Sequence, residues 1–183
     1  MKRLLLLALL LLTACKEEAA LPLPVALTAD STGYFCQMDL LEHPGPKGQI
    51  HLANFPGVPL FFSQVRDAVV YLRMPEQADT ITAFYVNDMG AAASWEEPGA
   101  ANWIAADAAL YVIGSSARGG MDAPEFVPFS DPALAARFAK DHGGQVFALA
   151  DIPASAIEPA QAVQVDEADL ADRLRALSDQ TGG

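Results

Sequence analysis

A thiol and a thioether stand two residues apart in Cys36-Gln37-Met38, and both are soft donors of the kind that suits Cu(I). The hard cations Mg²⁺, Ca²⁺ and Mn²⁺ take oxygen ligands instead. In an extended segment, residues i and i+2 point to the same face, so the two sulfur atoms would be able to share one ion. A small buried cysteine beside a core methionine would give the same pattern, and this dipeptide spacing alone leaves both interpretations open.

Two further side chains are candidates to complete a soft-metal site. Met121 lies in Arg118-Gly119-Gly120-Met121-Asp122, a glycine-rich loop in which a core methionine is not expected. His43 comes seven residues after Cys36 and precedes a Pro-Gly-Pro turn. That turn would be able to return the imidazole to the thiol as a ligand or as a proton acceptor. The alternatives are a methionine folded back over the core and a solvated loop histidine.

The remaining histidines point to structural roles. His51 falls in a predicted strand, and His142 falls at the predicted end of a helix, where cationic side chains are favoured. With three histidines in the chain and no second cysteine in the mature domain, a Zn²⁺ site is poorly supported. No serine nucleophile motif, phosphate-binding glycine loop or dinucleotide fingerprint is present.

The other cysteine, Cys15, belongs to an export signal. A short basic head, Met1–Arg3, is followed by the apolar run Leu4–Leu12, which is shorter than the roughly 20 residues of a membrane span. Leu12-Thr13-Ala14-Cys15 resembles a bacterial lipobox, which predicts that Cys15 is lipidated and attaches the mature chain to a membrane. Cys36 is then the one free thiol, and it is buried and inert, pairs with another molecule, or does chemistry.

The mature chain is strongly acidic. Removal of Lys2 and Arg3 leaves 9 of the 11 basic residues against 23 acidic ones, a formal charge of −14. Such a surface repels nucleic acid and anionic lipid headgroups, so we expect no nucleic-acid partner. Lys16 follows the predicted lipidated cysteine, where an acidic residue is associated with inner-membrane retention. This favours the outer membrane.

Hydrophobic periodicity and turn residues predict an α+β fold in five segments. These are a signal peptide (1–14), a tether (15–27), a first ββαβ unit that carries the Cys-x-Met motif (28–87), a second ββαβ unit (88–158) and an acidic C-terminal tail (159–183).

Local signals within these segments predict individual elements. Tyr34–Leu40 is predicted to be a strand or a strand-to-loop transition. One helix is predicted over Phe62–Met74 with Ser63 as its N-cap, and a second is predicted to follow an Asp131 cap, with Pro132 in its first turn. A common offset of 67 residues relates the two predicted helices, which favours an internal repeat.

Five segments in order resemble the NosL family, the copper-binding lipoproteins accessory to nitrous oxide reductase. They are Leu12-Thr13-Ala14-Cys15, Cys36-Gln37-Met38-Asp39, His43-Pro44-Gly45-Pro46-Lys47-Gly48-Gln49-Ile50, Tyr111-Val112-Ile113-Gly114-Ser115, and Gly120-Met121-Asp122 followed by Pro128-Phe129. The resemblance implies a periplasmic, membrane-anchored Cu(I) chaperone and not an enzyme. Its partners would be the nitrous oxide reductase apo-protein, whose copper–sulfide centre it supplies, and other copper-centre assembly proteins. It also implies that the two ββαβ units are related to the organomercurial-lyase fold.

The resemblance also assigns residues. Cys36 and Met38 match the copper motif, Met121 matches a loop methionine, and His43 is similar to the histidine before the family's Gly-Pro-Lys turn. The loop reads Gly-Met-Asp at Asp122, where the resemblance leads us to expect Gly-Met-Gly. Two alternatives remain: a thiol-dependent enzyme of organomercurial-lyase-like fold, which would have to work with one thiol, and a structural lipoprotein in which Cys36 is buried.

Overall fold

Two antiparallel sheets, each with a helix packed against it, are formed by the residues that the computed structural model describes, 20–157. In chain order the elements are β1 (Gly48–Leu52), β2 (Leu60–Phe62), α1 (Val65–Arg73), β3 (Ile81–Asn87), β4 (Trp103–Ala105), β5 (Leu110–Ile113), β6 (Val127–Phe129), α2 (Pro132–His142), β7 (Gln145–Ala148) and α3 (Ala154–Ile157). The predicted signal peptide, the lipidated Cys15 and the acidic tail 159–183 lie outside the described residues.

The first sheet has the strand order β2-β1-β3-β4 and buries β1 on both faces. Helix α1 covers one face at close range, because Gly48 has no Cβ; a Cβ there would come within 2.8 Å of the Ala68 Cβ. Residues 22–27 run along the other face. The Gln49 side chain accepts from Val25 N at 2.8 Å and donates to Val25 O at 3.0 Å, and the Tyr85 hydroxyl donates to Pro22 O at 2.7 Å. The described part of the predicted tether is thus bonded to the sheet.

The second sheet, β6-β5-β7, has the same layout as the first three strands of the other sheet. In each, the central strand comes first in sequence, the next strand lies on one side of it, and the strand after the helix lies on the other. Phe62 and Phe129, which end β2 and β6, are 67 residues apart, and so are the first residues of α1 and α2. Strand β4 falls inside the predicted second unit but pairs with β3 of the first sheet.

A shared core joins the two sheets. Val65 and Val69 of α1 pack with Val86 of β3, Tyr111 of β5 and Phe126. The basic side chains of α1 also hold the C-terminal segment. Arg73 donates to the carbonyls of Ile152 and Leu149 at 2.7 and 2.8 Å, and Arg66 donates to those of Ala156 and Ile157. The site loops therefore project from one continuous scaffold.

Two local predictions differ from the structure. Tyr34–Leu40 is a tight turn, not an extended segment, because Gln37 N bonds back to Gly33 O and Gln37 has a φ of +55°. Cys36 and Met38 therefore do not lie on one face of a strand. The N-cap of α1 is Gln64 instead of Ser63, and it makes no side-chain cap because its amide oxygen bonds Met121 N. The Asp131 cap with Pro132 in the first turn of α2 is confirmed.

Asn87 is fully buried and joins three segments, so its loss should be costly. Its Oδ1 accepts from Lys47 N at 2.8 Å, and its Nδ2 donates to the carbonyls of Asn102 and Gly99 at 2.8 and 3.3 Å. We expect Asn87→Ala to lower the free energy of unfolding by about 2–4 kcal/mol, because it leaves buried polar groups unpaired. Urea denaturation measures this loss. The matched control is Asn54→Ala, at an exposed residue bonded to Asp79, and equal losses in both variants would contradict the assignment.

Candidate metal centre

The turn that carries Cys36 is fixed by its own backbone and by an aromatic cluster. Gly33 N donates to Met38 O at 3.0 Å, and the Gln37 side chain donates to Tyr34 O at 2.7 Å and to Gly33 O at 3.3 Å. The Cys36 sulfur lies directly over Gly33, where any Cβ would overlap it. The rings of Tyr34 and Phe35 pack edge-on to Phe62 at centroid distances of 5.9 and 5.4 Å, which seats the turn on the first sheet.

Lys47 is the central polar group beneath the site. Its side chain is 1 % exposed, and its ammonium donates to His43 O at 2.8 Å, to Pro44 O at 3.1 Å and to Gly45 O. Three carbonyls thus replace the hydration shell of a buried cation, and together they fix the turn that carries His43. The ammonium is also close enough to Cys36 and Glu125 for both to act on its pKa.

The loop that carries Met121 comes from the other half of the chain and reaches this same place. Met121 N donates to Gln64 Oε1 at 2.7 Å. A Cβ on Gly120 would come within 2.7 Å of His43 Cβ, and one on Gly119 would come within 2.8 Å of the Gln64 side chain. Glycine is thus required where the loop packs against His43 and Gln64. Asp122 has a φ of +55°, the left-handed conformation that glycine adopts most easily, and it is the residue at which the sequence departs from Gly-Met-Gly.

Glu125 lies under this loop and is completely buried. Its Oε1 accepts from Arg66 N at 3.0 Å and from Phe126 N at 2.8 Å, whereas Oε2 has no hydrogen-bond partner and faces Gly119. Burial raises the pKa of Glu125 to about 8, against the lowering effect of the two backbone donors. Burial also lowers the pKa of Lys47 to about 8, while the nearby Glu125 and Cys36 raise it. The Glu125 carboxyl and the Lys47 amine therefore lie close together in a buried environment, and loss of water disfavours the charged form of each.

All four predicted donors lie around the end of β1 that begins at Gly48. Met38 and Met121 are 39 % and 44 % exposed, and Cys36 and His43 are half-buried, so a metal ion can approach from solvent. Contacts through Lys47, Gly120 and Gln64 link the segments that carry them. Within residues 20–157 no three His, Cys, Asp or Glu side chains converge to hold a metal ion. The two methionines would add soft thioether donors to Cys36 and His43.

The two histidines that were predicted to be structural lie away from this cluster. His51 lies in β1 with its Nε2 3.0 Å from Gln49 Oε1, and His142 ends α2 against Phe138.

Three supporting residues of the site were missed by sequence reasoning: Lys47, Gln64 and Glu125. The sequence signal that could have identified Lys47 was a single basic residue in a turn segment between Gly45 and Gly48. Nothing local marked Gln64 or Glu125, because their contacts are made with segments about 60 residues away.

Comparison with known proteins gives one consistent result. The family model NosL matches residues 24–157. The chain is 54 % identical over 182 residues to the copper-binding lipoprotein NosL of Achromobacter cycloclastes, covering 96 % of this chain and 94 % of that one. It is 35 % identical over 156 residues to the copper-binding lipoprotein NosL of Stutzerimonas stutzeri, covering 84 % and 80 %. The crystal structure of the copper chaperone NosL from Shewanella denitrificans superimposes with a TM-score of 0.68 at 28 % identity, over 73 % of this chain and 97 % of that one.

The raised pKa of Glu125 predicts how stability depends on pH. The folded protein keeps a proton that the unfolded chain releases between its ordinary pKa of 4.5 and about 8. The free energy of unfolding should therefore fall as pH rises through this range, by up to about 1.4 kcal/mol per pH unit. Glu125→Gln should remove this slope in urea titrations from pH 5 to 8. The exposed Glu76→Gln should keep it, and an unchanged slope in Glu125→Gln would show that the carboxyl is ionised in the fold.

The conformation of Asp122 predicts a stabilising substitution. Asp122→Gly keeps the backbone bonds of the turn, Asp122 N to Gly119 O and Arg118 Nη1 to Asp122 O, while it removes the cost of a left-handed L-residue. We expect the free energy of unfolding to rise by about 0.5–1 kcal/mol. Asp122→Ala is the matched control and should lower it, because alanine keeps the strain without aspartate's tolerance for this conformation. Thermal unfolding that shows both variants destabilised would contradict the assignment.

Proposed function

The chain belongs to the NosL family, and we propose that it is a membrane-anchored protein that binds Cu(I) through Cys36, Met38 and Met121, with His43 beside them. The curated relatives are copper-binding lipoproteins, and the superimposed crystal structure is that of a copper chaperone. We propose that Cys15 carries the lipid and that the folded domain lies on the periplasmic side of the envelope, at the outer membrane.

One observation supports the copper site: the Cys36 turn and the Met121 loop, far apart in sequence, both lie beside the turn that carries His43 and Lys47. Lys47 donates to His43 O and is within electrostatic reach of Cys36, while Gly120, next to Met121, packs against His43 Cβ. A thiolate with one or two thioethers is a soft donor set, which favours Cu(I) over Zn²⁺ and the hard cations. Since the thiol must lose its proton to bind, affinity should rise with pH.

The surface around these donors fits transfer of the ion to another protein. Tyr34, Phe35 and Leu41 are 44 %, 46 % and 49 % exposed beside the two exposed methionines. We refer to these five exposed side chains as the apolar rim. On a chain that is acidic overall, a group of exposed apolar side chains is typical of a surface that contacts another protein. We propose that the rim contacts the nitrous oxide reductase apo-protein, whose copper–sulfide centre the ion supplies, and other copper-centre assembly proteins. Few and exposed ligands would let the acceptor's ligands replace them stepwise.

The repeated layout of the two sheets supports a related proposal about the fold. We propose that the halves are two copies of one ββαβ unit, akin to the organomercurial-lyase fold. Only the first copy carries the Cys-x-Met motif. A thiol-dependent enzyme of that fold is the weaker proposal, because it would have one thiol, Cys36, with which to work. A purely structural role is also disfavoured, since Cys36 is half-buried and not enclosed.

The copper site is tested by anaerobic Cu(I) titration of the mature domain against a competing chelator. Cys36→Ser should abolish tight binding, and Met121→Leu should weaken it by roughly tenfold, about 1.4 kcal/mol. The matched control is Met74→Leu at a thioether packed on the first sheet, which should leave affinity unchanged. Equal and weak binding by wild type and Cys36→Ser would overturn the proposal. If binding holds, loaded protein is mixed with the apo-reductase to measure transfer.

A further inference from the structure

Three large apolar side chains are exposed at the end of the first sheet opposite the candidate metal centre. They are Leu21 on the N-terminal segment, 69 % exposed, and Phe55 and Val58 on the β1–β2 loop, 56 % and 65 % exposed. We refer to these three residues as the apolar end. Single exposed apolar residues are common on proteins, whereas a contiguous group of them indicates an interaction surface.

The N-terminal segment and the β1–β2 loop border one cavity, which brings Leu21 close to the loop that carries Phe55 and Val58. Ala20–Pro22 and Pro56–Gly57 face each other across a cavity of about 440 Å³, whose floor includes His51 and Thr82. The N-terminal segment cannot swing away freely, since Pro22 and Val25 are bonded to Tyr85 and Gln49.

The β1–β2 loop is shaped to present its apolar residues outward. Phe55 N bonds to Leu52 O and Val58 N bonds to Phe55 O, both at 3.2 Å, which makes two successive turns. Gly57, with a φ of +80°, stands at the tip, and a Cβ there would meet no atom within 4 Å. The loop tip thus projects into open space.

The two segments that form the apolar end carry no charged residue, in a chain with 23 acidic residues. No Asp, Glu, Lys or Arg occurs from Ala19 to Ala29 or from Gly48 to Val65. One carboxylate borders the surface, that of Asp79, which accepts from Asn54 Nδ2 at 2.6 Å. A surface without cations has no means of attracting anionic headgroups, so its contact with a bilayer would be by apolar insertion.

The position of the anchor determines what covers this surface. Ala20 is five residues after Cys15, so a lipid on Cys15 holds the segment within about 18 Å of the membrane interface. We propose that the apolar end docks on the bilayer to which the chain is anchored, with Phe55 and Val58 inserted among the lipids. This rests on the proposed lipidation of Cys15.

Docking in this way determines how the candidate metal centre is oriented relative to the bilayer. β1 has Leu52 at the apolar end and Gly48 beside the predicted donors, and at about 3.3 Å per residue the strand separates them by roughly 13 Å. The copper ligands then face away from the bilayer, toward partners in the aqueous compartment.

The test uses the full lipidated protein in phosphatidylcholine vesicles that contain brominated lipids, which quench tryptophan on contact. Phe55→Trp should be quenched well beyond wild type, which supplies the background of Trp95 and Trp103. The matched control, Val146→Trp, lies on the second sheet at 39 % exposure and should add no quenching. Equal quenching of both variants would overturn the proposal.

Two further readouts separate this proposal from those on which it rests. Flotation of the protein with the vesicles reports the lipid anchor, and Cu(I) titration of the same sample reports the metal centre. Protein that floats and binds copper, while Phe55→Trp is not quenched, keeps the proposed function and rejects the docking face. The emission of Phe55→Trp could instead shift to the blue on addition of vesicles and yet not be quenched when the lipids carry bromine. That result would show that protein, and not lipid, covers the apolar end, and it would also reject the docking face.

Discussion

The buried ammonium of Lys47 is the constraint on which the candidate metal centre depends. A cation with 1 % exposure is tolerated only where oxygen atoms replace water, and the carbonyls of His43, Pro44 and Gly45 do so. Asn87 holds the backbone of the same residue from β3. The turn before β1 and the neighbouring strand β3 are thereby both bonded to Lys47.

The second half of the chain completes the site by supplying a loop and a carboxyl. Gln64, between β2 and α1, accepts from Met121 N, while Glu125 accepts from Arg66 N at the start of α1. These bonds cross between segments about 60 residues apart, so the distance between the donors depends on how the halves pack. Polar groups thus position the ligands, while the apolar core supplies the stability on which the arrangement rests.

Sequence reasoning succeeded where a signal was local. The Asp131 cap and the proline after it depend on a few adjacent residues, and the structure confirms them. Sequence reasoning failed for Tyr34–Leu40, because no local residue pattern indicates that Gln37 takes a left-handed conformation and bonds back to Gly33. Lys47 and Glu125 were missed for another reason: both are ionisable residue types that usually lie on the surface, and only the folded contacts show that they are enclosed.

Cys36 has no second thiol beside it in residues 20–157, and the chain's other cysteine, Cys15, is the proposed point of lipid attachment. A sulfenic acid formed at Cys36 would find no resolving cysteine in the same domain, so further oxidation to the irreversible acids would compete with repair. In the proposed function, copper bound to the Cys36 sulfur would engage the lone pair that oxidants attack. The copper-loaded form would then resist oxidation longer than the empty form.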